Sequence, residues 1–223
     1  MAPQSSITLY FDVVSPFSYL GYVLLQRYRK VWTNVKVDFK PMFLHGVMVG
    51  SKNQPPATVA AKGSYMFGDL MRISSISKIP FKFASRFPIS TILPQRLLLA
   101  IQKYEPSKFE ESVLKIYEAY WSLDQDISDK QTLIETLSPV FGGSVAKIEQ
   151  LLAATQEAEI KKLLTDNTND CVAKGGFGAP TFFVTKAGSD KEHFFFGSDR
   201  FEVIANILDL PYPGLAYSDS AKL

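Results

Sequence analysis

An α/β fold is predicted, in which a βαβ unit and a ββα unit share one sheet with a large all-helical insertion between them. Three observations predict it. β-rich runs lie only near the two ends of the 223-residue chain, helical periodicity fills more than half of it in between, and each end also supplies one amphipathic helix. The order strand, helix, strand, helical block, strand, strand, helix is that of a thioredoxin fold interrupted by an all-helical segment.

The first element, ITLYFDVV at 7–14, is β-rich and nearly all apolar, the pattern of a strand buried on both faces. A helix follows at once. Pro16 suits its first turn, Leu20, Val23, Leu24, Tyr28 and Val31 recur at helical spacing, and Arg27, Arg29 and Lys30 complement the negative end of the dipole. VKVDFK at 35–40 alternates apolar and charged residues up to Pro41 and predicts the second strand. Helices are then predicted at 57–73, 92–104, 107–123, 130–137, 145–153 and 156–174, punctuated by Pro106, Gly142-Gly143 and Gly175-Gly176. Their Leu, Ile, Tyr and Trp stripes read as core positions, without a cofactor fingerprint. TFFVT at 181–185 and HFFFG at 193–197, joined by KAGSDKE, predict a hairpin, and 201–210 a closing helix. The domains expected are a discontinuous thioredoxin-like unit (1–56 and 175–215), a helical insertion (57–174) and a polar, mobile tail (216–223).

Composition narrows the chemistry. A hydrophobic share of 46% supports a large core, and 24 Lys plus Arg against 22 Asp plus Glu, scattered along the chain, leave no basic stripe for nucleic acid or a membrane surface. One cysteine, Cys171, allows no internal disulfide, and two histidines, His45 and His193, do not make a zinc cluster. A reducing compartment and a metal-free site are expected. The first basic residue is Arg27 and an Asp interrupts the early apolar run, so neither a secretory signal nor a mitochondrial presequence is read at the start. The end, Ala221-Lys222-Leu223, is a variant of the peroxisomal Ser-Lys-Leu address, and also what an ordinary frayed terminus could carry.

Three segments converge if the predicted fold is right: Ser15-Pro16 at the first strand-to-helix junction, Ala179-Pro180 before the third strand, and Ser198-Asp199 before the last helix. Each has a plain structural reading beside the functional one. Ser15-Pro16 is a good N-cap with proline at the first helical position, Pro180 a strand start, and Asp199 with Glu202 has capping-box spacing. Cys171, among small residues before a glycine turn, reads as structural. His45 and His193 have no triad partner and no Gly-x-Ser-x-Gly elbow is present, which argues against a serine hydrolase.

Five stretches in order, YFDVVSPFSYLG, KNQPPATVAAKGSYMFGDL, YEAYWSLDQDIS, CVAKGGFGAPTFFV and FFGSDRFEVIANIL, give the chain its resemblance to the kappa-class glutathione transferases. These are relatives of the DsbA disulfide oxidoreductases and of the 2-hydroxychromene-2-carboxylate isomerases, and the resemblance covers nearly the whole chain. In DsbA-like proteins the first junction holds a redox dithiol; here Ser15 and Ser18 stand in its place, so the chain has no disulfide of its own to shuttle. The resemblance implies that the Ser15 hydroxyl donates to the thiolate of glutathione at a helix N-terminus. Lowering a thiol pKa from ~8.5 to about 7 takes roughly 2 kcal/mol. A charge-assisted hydrogen bond of ~1.5–3 kcal/mol and a helix terminus of ~0.3–1 kcal/mol are together sufficient.

The resemblance further implies that Pro16 and Phe17 line the pocket around the sulfur, Ala179 pairs its backbone with the cysteinyl unit beside a cis Pro180, and Ser198 and Asp199 hold the γ-glutamyl end. Asn53 and Lys62 would reach the rest of the peptide. Phe17 has core packing as its plain reading and Lys62 a solvated helix face. The activity implied is a glutathione transferase acting on small electrophiles and organic hydroperoxides, with glutathione as co-substrate, as a homodimer. Alternatives are a glutathione-dependent isomerase or a non-catalytic glutathione or hydrophobic-ligand binder. Peroxisomal delivery is expected, with cytoplasmic or mitochondrial residence as alternatives.

Overall fold

The computed structural model describes residues 4–217; the terminal Ala221-Lys222-Leu223 lies outside the described residues. The sheet is built from β1 (Ser5–Phe11), β2 (Val35–Pro41), β3 (Thr181–Thr185) and β4 (Glu192–Phe196) in the order β2-β1-β3-β4. β1 pairs parallel with β2 and antiparallel with β3, and β3 pairs antiparallel with β4. This is the predicted joining of a βαβ and a ββα unit. The parallel pair is bridged by α1 (Pro16–Tyr28), and α9 (Phe201–Ile207) follows the hairpin.

The insertion contains α3 (Ala60–Ser77), α4 (Ile92–Tyr104), α5 (Pro106–Trp121), α6 (Lys130–Leu137), α7 (Val145–Ala154) and α8 (Ala158–Ala173), preceded by a 3-10 turn at Pro56–Thr58. One hydrophobic cluster runs from Ile7, Leu9 and Phe11 of β1 through Leu20 and Leu24 of α1 to Leu97, Ile116, Leu133 and Ile160 of the insertion. Sheet and insertion therefore share buried surface. A second, smaller cluster on the other side of β1 holds Tyr10, Met42, Val47, Cys171, Ala179 and Phe183.

Three expectations are corrected. The first strand ends at Phe11 rather than at residue 14, because Asp12 turns the chain: its carbonyl accepts the N–H of Ser15 at 3.0 Å. The last helix stops at Ile207, where Asp209 adopts φ 55°. An unpredicted helix, α2 (Leu44–Ser51, LHGVMVGS), follows β2. Its two glycines conceal it in the sequence, since they read as breaks, yet they lie one turn apart on the face toward α8. A Cβ on Gly46 would come within 2.9 Å of Thr168, and one on Gly50 within 3.1 Å of Val172. They allow close helix approach.

Residues 211–217 return along α1. The Trp32 indole donates to Pro211 O (2.8 Å), the Tyr28 hydroxyl to Gly214 O (3.2 Å) and the Arg27 guanidinium to Tyr217 O (3.2 Å).

Candidate functional site

The site forms where α1 begins. Ser15 is the N-cap of α1 in extended conformation (φ −88°, ψ 116°), and its Oγ accepts the N–H of Ser18 at 3.1 Å. The plain capping role is thus present. The same hydroxyl donates to the carbonyl of Ala179 at 3.0 Å, which joins two segments separated by 164 residues. Pro16 brings no N–H, and the N–H of Tyr19 returns to Ser15 O at 3.1 Å. Among the described residues the N–H of Phe17 is consequently the one backbone donor of this first turn without an acceptor, at the positive end of the helix dipole. Ser18 is fully buried, with its hydroxyl facing the interior beside that of Tyr117.

The Ala179–Pro180 bond is cis, as expected for Pro180. Ala179 is buried and its N–H makes no hydrogen bond among the described residues, while Gly197 N–H donates to Pro180 O at 3.1 Å and draws the residues before α9 against this loop. Gly21 lies at that convergence. A Cβ there would sit 3.2 Å from Pro180 Cγ and 3.5 Å from Ser198 Cβ, so a side chain would push the Pro180 ring by a few tenths of an ångström. Ala179 is thereby held at Ser15, and Pro180 and Ser198 at Gly21 further along the same helix.

Ser198 is buried; with Asp199 it lines a cavity of ≈ 90 Å³ whose walls include Leu24, Tyr28 and Phe201. Neither residue caps α9. Its N-cap is Arg200 without a side-chain cap, and the Asp199 carboxylate pairs with the Arg200 guanidinium, so the capping-box reading is replaced by an ion pair. Phe17 and Lys62 line one open cleft of ≈ 410 Å³, together with Pro56, Ala61, Tyr65 and Met66. Phe17 also packs against the main core cluster, as its plain reading expects. Asn53 is spent structurally: its Nδ2 donates to Phe177 O at 2.7 Å and its Oδ1 accepts Gln54 N–H at 2.8 Å. Its side chain fastens the chain after α2 to the segment before Ala179.

Two features of the site were not foreseen. Asp12 is fully buried beneath the Ser15 turn, and the Trp121 indole N–H donates to Val13 O at 2.9 Å, holding the same turn from α5. The signal for Asp12 was a lone acid in an otherwise apolar run. Cys171 is buried, and burial pushes its thiol up to about 12. Gly176 packs on it so tightly that a Cβ would meet Sγ at 2.4 Å.

The DSBA-like thioredoxin domain family matches residues 6–209. Glutathione S-transferase kappa 1 of Caenorhabditis elegans is 33% identical over 213 residues, which span 93% of this chain and 92% of that protein. A 2-hydroxychromene-2-carboxylate isomerase of Sphingobium xenophagum is 25% identical over 205 residues, 91% of this chain and 97% of that protein. A solved structure of a 2-hydroxychromene-2-carboxylate isomerase superposes with a TM-score of 0.73 at 20% identity, covering 92% of this chain and 94% of the other.

Proposed function

The chain belongs to the DSBA-like thioredoxin family and, within it, to the kappa-class glutathione transferases, and on that premise we propose that it binds glutathione, holds its thiol as a thiolate beside Ser15 and conjugates it to small apolar electrophiles. The observation that carries the reading is the position of the Ser15 hydroxyl: it caps α1, lies against Ala179 O and stands next to the unpaired Phe17 N–H.

Each residue has a defined task in this scheme. Ala179 offers an unpaired N–H and a carbonyl, the pair needed to bond an extended cysteinyl backbone. When the cysteinyl N–H takes that carbonyl, the Ser15 proton is released from it and turns to the sulfur. Oγ keeps the Ser18 N–H as its donor, and this polarises the hydroxyl. Phe17 N–H is the second donor. Ser198 and Asp199 hold the γ-glutamyl end, with the ammonium sharing Asp199 with Arg200. Lys62 reaches the glycine carboxylate, and Asn53 contributes through backbone geometry. Pro16, Phe17 and the apolar wall of the 410 Å³ cleft receive the electrophile.

Conjugation forms a carbon–sulfur bond and expels the electrophile's leaving group, the thiol proton having passed to solvent. Organic hydroperoxides are the second acceptor class proposed: the sulfur takes one oxygen as the O–O bond breaks, and the alcohol leaves. An isomerase that adds glutathione and then expels it is the second reading, favoured by the 25% identity to the Sphingobium enzyme. Product analysis separates the two, because a transferase consumes glutathione stoichiometrically. A homodimer is also proposed, supported by apolar side chains exposed along α3 (Tyr65, Phe67, Met71, Ile76) and tested by sedimentation. Peroxisomal delivery by Ala221-Lys222-Leu223 is proposed from the terminal tripeptide, and deleting it should return a tagged chain to the cytoplasm.

The deciding experiment is ultraviolet titration of glutathione bound to the protein. Thiolate absorption should rise with a midpoint near ~7, more than a unit below the free thiol. Bound glutathione that stays protonated to the free-thiol midpoint overturns the transferase reading.

A further inference from the structure

Among the described residues Asp12 is the only fully buried charged side chain, and it forms no ion pair. We infer that Asp12 is a positioning residue for the thiolate site, fastening the turn that aims Ser15 to the first N–H of α2 and to the residue that precedes α4. The inference rests on the glutathione reading for its consequence in catalysis.

Three donors converge on two oxygens. Oδ1 accepts the N–H of Val14 at 3.0 Å, and Oδ2 accepts the N–H of Leu44 at 2.8 Å and the hydroxyl of Thr91 at 3.0 Å. The backbone carbonyl of the same residue takes the N–H of Ser15. An ionised carboxylate is the side chain that accepts at every one of these positions; an amide would set its NH₂ against a backbone N–H. The flanking carbonyls are held from the insertion as well, Phe11 O by Gln95 Nε2 (2.8 Å) and Val13 O by Trp121 Nε1 (2.9 Å). Residues 11–13 are thus anchored in succession by Gln95, Thr91 with Leu44, and Trp121, and Ser15 follows on a turn with little freedom. The long insertion sets the direction of the hydroxyl.

Burial without a counter-charge pushes the Asp12 carboxyl up to about 6, against three hydrogen bonds that pull it down. The titratable groups that act on it are Tyr117 and Tyr120 of α5, both raised above the ordinary tyrosine range and therefore neutral here. Below about pH 6 the carboxyl carries a proton, can no longer accept from all three donors, and the turn slackens.

The test compares the wild type with Asp12→Asn and Thr91→Val. In the wild type log kcat should fall with slope one below the bound-thiol pKa and steepen toward slope two over about one unit below pH 6, where the carboxyl takes its proton. Asp12→Asn should keep slope one throughout and raise the bound-thiol pKa by about one unit, roughly a five- to sixfold loss of thiolate at pH 7. Thr91→Val removes one donor and should move the slope-two region to higher pH. The Ser15 amide resonance gives a readout that needs no glutathione: it should titrate near pH 6 in the wild type and stay flat in Asp12→Asn. An Asp12→Asn protein that binds glutathione with an unchanged thiol pKa, or a Ser15 amide that titrates alike in both proteins, overturns the positioning role. Failure of the wild type to bind glutathione overturns the transferase reading instead, and the amide titration then still decides whether Asp12 controls the turn.

Discussion

Replacing Ser15 by alanine removes one hydroxyl that serves three partners in turn: Ser18 N–H, Ala179 O and, in the proposed complex, the glutathione sulfur. The thiolate loses a charge-assisted hydrogen bond of ~1.5–3 kcal/mol, which at ~1.4 kcal/mol per pH unit raises the bound-thiol pKa by about 1–2 units. A midpoint of about 7 then becomes about 8–9, and the thiolate fraction at pH 7 drops from about one half to between ~1/10 and ~1/100. Turnover at neutral pH should fall by somewhat less than the roughly 5- to 50-fold loss of thiolate, because the higher intrinsic nucleophilicity of a more basic thiolate recovers part of it. Binding should persist, since the other contacts proposed for the peptide lie at Ala179, Ser198 and Lys62. The variant also loses an N-cap, a cost of ~1 kcal/mol, or about 2–4 °C in Tm for a chain of this size, so it should remain folded. The assay is ultraviolet titration of bound glutathione beside the pH–rate profile, where the variant should approach wild-type turnover as alkaline pH restores the thiolate. A bound thiol that titrates with the same midpoint in both proteins would refute the reasoning.

Other consequences are equally open to measurement. Asp12 titrates at about 6 in the folded protein against an ordinary 3.8, so between those values the folded chain holds the extra proton and its stability falls as pH rises. The difference amounts to about 3 kcal/mol by neutral pH, and it should appear as a decline in urea midpoint from about pH 4 to 7 that is absent in Asp12→Asn, the two proteins being compared at each pH. Gly46→Leu should destabilise by ~1–3 kcal/mol with an unchanged m-value, because even the Cβ meets Thr168 at 2.9 Å; a midpoint equal to wild type would contradict the α2–α8 packing. Cys171 should resist alkylation at about pH 8 in the folded protein and react on unfolding, given a thiol pushed up to about 12 by burial. Lys62→Ala should raise KM for glutathione several-fold with little change in kcat, and an effect confined to kcat would assign Lys62 a different task.

The elements with strong local signals were legible in the chain. Pro16 after Ser15, the alternation of VKVDFK and the aromatic hairpin around KAGSDKE each identify one structure by propensity and period, and α1, β2, β3 and β4 stand where those signals put them. α2 was illegible because Gly46 and Gly50 have opposite meanings in isolation and against a partner helix. The capping-box spacing of Asp199 and Glu202 misled for a similar reason: a local alternative, the Arg200 ion pair, takes the carboxylate.

By itself the sequence determined the order of strands and helices apart from α2, the N-cap hydroxyl at Ser15, and the absence of a dithiol at that junction, because these follow from residue type and spacing along a few consecutive positions. Only the tertiary structure decided that Ala179 meets Ser15 while Pro180 and Ser198 gather at Gly21 of the same helix, that Asn53 is consumed as a tether, and that Asp12 is buried among donors from α2 and the residue before α4. The reason is physical: a hydrogen bond across 164 residues or a close approach at Gly21 depends on how separate elements share one core, and no local propensity encodes that distance.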